Sequence, residues 1–144
     1  MQRLGRYLFP VIAILMLMAY GIGCAGTNGG QVTDYVSLVD NLRAAGATVE
    51  SAGDISQPFF SVTGSIIVVN GGDAQVFEYE NATVANEEAA LVSTDGSSVG
   101  TTMTNLVEPS HFYKAGRLIV LYVGESESVI RMLQDVLGPQ FAGK

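Results

Sequence analysis

A strand, a tight turn, a second strand and a capped helix follow one another twice in this chain. That order restricts the fold more than any other feature. In the first unit Ser65 to Asn70 reads as a strand, Gly71-Gly72-Asp73 as the turn and Ala74 to Tyr79 as the returning strand. Asn81 then caps a helix predicted to run to about Ser93. In the second unit Phe112 to Lys114 and Arg117 to Val123 flank a turn at Ala115-Gly116, and Ser126 caps the last helix. The stripe of that helix is Val129, Ile130, Leu133, Val136 and Leu137, and Gly138-Pro139 stops it. Short turns make antiparallel neighbours, and each helix must bury its stripe on the strands. The expected fold is therefore α+β, a single antiparallel sheet with helices packed on one face. The two units suggest a strand-strand-helix pseudo-repeat, with too few identities between them to establish duplication.

Upstream, Thr33 or Asp34 caps a helix whose apolar stripe is Tyr35, Leu38, Val39 and Leu42, and Gly46 ends it. Ala47 to Glu50 reads as a short strand and Asp54 to Pro58 as a loop. The Ser/Thr/Gly-rich stretch Thr94 to Pro109 is long for a structureless connection, so it holds a strand or has a task. Cys24 is the only cysteine, which leaves no internal disulfide. A core alone must hold the domain, and about 110 residues can supply one.

The position of Cys24 also bears on destination. Arg3 and Arg6 precede an apolar run from Tyr7 to Ile22, and Gly23 comes just before the cysteine. These are a positive n-region, an h-region and a small-residue cleavage site, in order. The tail Tyr20-Gly21-Ile22-Gly23-Cys24 resembles a bacterial lipobox, with Gly21 standing where an aliphatic residue is usual. Residues 1–23 are read as a signal peptide, 24–32 as a lipidated flexible tether, and 33–144 as one α+β domain. An uncleaved anchor and ordinary secretion are the alternatives, and all three put the domain outside the cytoplasm. The expected location is the cell envelope, held at the membrane by lipid on Cys24; two or more acyl chains hold where one does not.

Loss of Arg3 and Arg6 with the leader would take the formal net charge from −7 to −9. Such a domain is a poor nucleic-acid ligand and is repelled by anionic headgroups. Metal and cofactor chemistry finds little material. His111 is the sole histidine, so no nitrogen-sulfur cluster can form, and the acidic residues lack the spacing of a calcium loop. Gly71-Gly72 feeds a strand rather than a helix, so no phosphate loop is read. Ser97, Ser98 or Ser110 with His111 and Asp95 supply the residue types of a triad, without a nucleophile elbow.

One constellation is left. Phe59, Phe60, Phe112, Tyr113 and Phe141 lie near chain bends, and His111, Lys114 and Arg117 concentrate positive charge on one hairpin. Either the aromatics fill the core, or His111, Tyr113, Lys114 and Arg117 form a contact surface for an acidic or aromatic partner.

Several stretches resemble a family of small bacterial exported proteins and lipoproteins to which no activity is assigned. They are Gln57-Pro58-Phe59-Phe60-Ser61-Val62, Val76-Phe77-Glu78-Tyr79, the block from His111 to Gly124, and Leu137 to Gly143. The resemblance implies an exported domain and brings no catalytic residue or cofactor. The function expected from the sequence is a lipid-anchored extracytoplasmic domain with a non-catalytic binding or envelope-assembly role toward a protein or small ligand. The alternatives are an enzyme or accessory subunit using His111 with nearby hydroxyls, and a small-ligand carrier or inhibitor.

Overall fold

The computed structural model describes residues 30–144. Cys24, the leader and most of the tether lie outside the described residues. The chain runs α1 (Tyr35–Ala44), β1 (Val49–Ile55), β2 (Gly64–Val69), β3 (Gly72–Glu78), α2 (Ala82–Ala90), β4 (Ser98–Val99), β5 (Thr102–Met103), β6 (Ser110–Ala115), β7 (Leu118–Val123), α3 (Glu127–Leu137) and β8 (Ala142–Gly143). Six strands form one antiparallel sheet in the order β1-β2-β3-β7-β6-β8, while β4 and β5 make a separate small hairpin.

Local chemistry explains most of the element ends. The Asp34 carboxylate accepts the Ser37 N–H at 2.9 Å and the Ser37 hydroxyl accepts the Asp34 N–H, a reciprocal capping box. Asn81 caps α2 by accepting the Val84 N–H at 3.0 Å. Ser126 precedes α3 without a side-chain cap; its hydroxyl lies 3.1 Å from that of Ser128. The β2–β3 hairpin turns on Asn70-Gly71, both at positive φ, with Val69 paired to Gly72. This is the two-residue turn that an Asn-Gly pair favours, one step earlier than the expected Gly71-Gly72-Asp73. The β6–β7 hairpin turns on Gly116-Arg117, also one step from the expected pair, and Gly116 has φ +54°.

Two elements depart further from expectation. β1 is longer than Ala47 to Glu50, because pairing with β2 continues through a bulge between Ser51 and Gly53 to Ile55. As an edge strand with mostly exposed side chains, it carries no alternating apolar signal. α2 stops at Ala90 rather than near Ser93, since Val92 pairs with Val99 and Ser93 enters a polar loop. The stretch 94–109 contains the β4–β5 hairpin.

The core has two halves, one on each face of the sheet. On the first, Leu38, Val39 and Leu42 of α1 and Val129 and Leu133 of α3 pack on Ile67, Val69, Val76, Tyr113, Val120 and Tyr122. On the second, Ala85 and Ala89 of α2 join Phe59 and Phe60 against Phe77, Phe112, Ile119 and Leu121. Thus α1 and α3 share a face as expected, and α2 lies on the other. Antiparallel pairing of β3 with β7 bears on the pseudo-repeat. A two-fold relating the hairpins would run perpendicular to the sheet and leave both following helices on one face. Their opposite placement excludes such a symmetric repeat.

Candidate binding cleft

The structure separates the residues that the sequence brought together. His111 is only 6% exposed and Tyr113 is fully buried, so neither forms part of an open contact surface. His111 Nε2 lies 3.1 Å from the Gly124 carbonyl oxygen, and Nδ1 lies 2.7 Å from Gln140 Oε1. Its ring stacks on Tyr122. The histidine thus ties β6 to the loop after β7 and to the C-terminal segment. Tyr113 packs in the core of the first face with its hydroxyl unpartnered, and burial pushes that phenol up to about 12.

The basic side chains are also dispersed. Arg117 pairs with Glu78 at 2.9 Å, and Glu78 accepts the Tyr35 N–H as well, so this carboxylate ties the β6–β7 turn to the start of α1. Lys114 Nζ donates to Asn86 Oδ1 of α2 at 2.7 Å. Phe59, Phe60, Phe112 and Phe141 form one aromatic cluster with Phe77 on the second face. Of the two readings of the aromatics, the core reading is the one the packing realises.

The triad residues are likewise apart in role. Asp95 Oδ1 accepts the Ser97 N–H at 3.1 Å and the hydroxyls of Ser97 and Ser93, each at 2.8 Å. These bonds, led by the Ser97 amide, hold its carboxyl down to about 2. The carboxylate organises its own loop, while both ring nitrogens of His111 face other groups. Among the described residues, no group of three His, Cys, Asp or Glu is placed to hold a metal ion.

What the fold does build is a cleft of about 670 Å³ beside the predicted hairpin. Its walls are the entering segment Gly30 to Val32, the last turn of α1 with Asn41, Ala44 and Ala45, the end of α3 at Asp135 to Leu137, and Lys114 to Gly116. The volume lies within the range of small-ligand sites. Gly116 shapes one wall by close approach: a Cβ there would collide with the Thr33 backbone. The Arg117 N–H donates to the Thr33 carbonyl at 3.0 Å, fixing the same junction.

Lys114 is the one predicted site residue that borders this cleft. Asn41 and Asp135 were not singled out by sequence reasoning. One local signal was present for Asp135. It is a carboxylate in the last turn of α3, where no basic residue offsets it, against the preference set by the helix dipole. No protein-family model, curated protein or solved structure matches this chain.

Proposed function

We propose that this protein is a lipid-anchored extracytoplasmic domain that works by non-catalytic binding at the cleft between α1, α3 and the β6–β7 hairpin. The observation that carries the reading is the cleft itself, a concave site of ligand size walled by polar groups from four separate segments. The bonding of His111 to Gln140 and Gly124 gives the enzymatic alternative no support. The entering segment Gly30 to Val32 forms one wall, so the proposed site borders the chain that leads back to Cys24. Among the described residues, no helix is long and apolar enough to cross a membrane. The proposed attachment is lipid on Cys24, read from the order of basic, apolar and small residues before it.

The test is fractionation of full-length protein made in a bacterial host, with intact mass measured on the membrane form. The expected mature chain begins at Cys24 and carries the mass of its acyl chains, and Cys24→Ala loses that acyl mass and the cleavage. A mature cysteine with a bare thiol, or a wild-type chain that keeps its leader, would overturn the anchoring half of the proposal.

A further inference from the structure

From the chemistry of its walls, we infer that the cleft takes an organic cation, a protonated amine or guanidinium group; this rests on the binding reading above. The C-terminal ends of two helices meet there. Both ends carry the partial negative charge of the helix dipole; in α1 the amides of Ala45, Gly46 and Ala47 already take the carbonyls of Asn41, Arg43 and Leu42, so the open acceptors are those of α3. In α3, Gly138 N–H returns to Gln134, so the carbonyls of Asp135, Val136 and Leu137 receive no later amide of the helix. The carboxylate of Asp135 adds a full charge at the same place, and α3 has no basic residue in its last turn. Asn41 uses its amide N–H₂ on the Ser37 carbonyl at 2.7 Å, which leaves its Oδ1 as a further acceptor.

The nearby cations do not fill this role. Arg43, in the last turn of α1, lines a different groove and donates to the Val49 carbonyl at 3.2 Å. Lys114 borders the cleft, while its ammonium is held by Asn86 of α2. The Asp135 carboxylate, the end carbonyls of α3 and Asn41 Oδ1 thus border one ligand-sized space, and a group carrying several N–H donors and positive charge satisfies them. The excess of acidic residues over the whole domain steers such a ligand toward it.

The test titrates the full chain, in uncharged detergent at about 0.15 M salt, where exposed charges are screened beyond about 8 Å. Three probes are compared: spermidine, a short lysine- and arginine-rich peptide, and an acidic peptide of equal length. Affinity is measured by calorimetry and the contact by amide NMR shifts. Asp135→Lys is the site variant and Asp73→Lys, at an exposed position at the start of β3, the charge-matched control. Placing a lysine at a helix C-terminus favours the helix, so the site variant keeps its fold. The expected result is shifts confined to residues 41–46 and 134–138, with affinity about tenfold weaker in Asp135→Lys and changed less than about twofold in Asp73→Lys. Tighter binding of the peptide identifies a protein partner, and tighter binding of spermidine a free amine. Equal losses in both variants, or shifts spread over the acidic surface, would overturn the inference in favour of diffuse charge attraction. Movement of the cleft amides by the acidic peptide alone would overturn the cation and spare the binding reading. If no probe moves them, both fail.

Discussion

Gly116→Ala probes the junction that closes one wall of the cleft. At this position an added methyl meets the Thr33 backbone, with the Thr33 carbonyl carbon only 2.7 Å away, and φ is +54°. Two costs therefore add. A non-glycine residue at positive φ costs about 1–2 kcal/mol. Overpacking against backbone that cannot rotate aside costs about 1–3 kcal/mol. Relief of the clash would also lengthen the bond from Arg117 N–H to Thr33, and the two costs together come to about 2–5 kcal/mol. Gly71→Ala is the matched control, since Gly71 has φ +86° but nothing near its Cβ direction, and should cost about 1–2 kcal/mol. Urea unfolding of the full chain, followed by the near-ultraviolet signal of the tyrosines, compares the two. With a slope of about 2 kcal/mol/M, Gly116→Ala should lower the midpoint by about 1–2.5 M and Gly71→Ala by about 0.5–1 M. Equal midpoints would refute the reasoning, because they would mean that conformation alone, and not contact with Thr33, sets the requirement for glycine.

Two further outcomes are expected. The Asp95 carboxyl is held near 2 in the fold against 3.8 in an unfolded chain, so its support of the 93–98 loop is complete above about pH 4 and is lost as pH falls through about 2. Amide exchange at Ser97 should rise over that window, and Asp95→Ala, which removes the acceptor, should expose the amide at every pH and abolish the acid step. Burial raises the phenols of Tyr79 and Tyr113, so the unfolded chain releases these protons first and stability falls as pH climbs above 10. Because both hydroxyls are buried without a partner, Tyr113→Phe should leave stability unchanged or raised by up to about 1 kcal/mol and flatten the alkaline loss. A loss of more than that in urea unfolding would reveal a hydrogen bond that the packing does not show.

Much of this architecture was written locally. The stripe Leu38, Val39, Leu42 and the stripe Val129, Leu133 repeat at helical spacing, and Asp34 and Asn81 cap through bonds only three residues long. Both hairpins need only a turn and two strand-forming runs, so the antiparallel sheet was legible in the sequence. The placement of α2 had a local hint. Leu118 to Val123 is apolar at every position, and a strand without polar alternation needs cover on both faces. The hairpin turns were also misplaced by one residue where Asn70-Gly71 named the first one directly.

Residue type and spacing along the chain determined helices, hairpins and the need for a disulfide-free core, because those depend on torsions and contacts a few residues long. Tertiary structure alone decided which hairpin edges meet, which of the three helices takes the second face, and what becomes of His111. The imidazole reaches Gln140 from a strand 29 residues earlier, and no local pattern encodes a bond of that span. The cleft is the same case. Asn41, Lys114 and Asp135 lie on three separate segments, and they border one space only because α1, α3 and the β6–β7 turn converge when the first face of the sheet is buried.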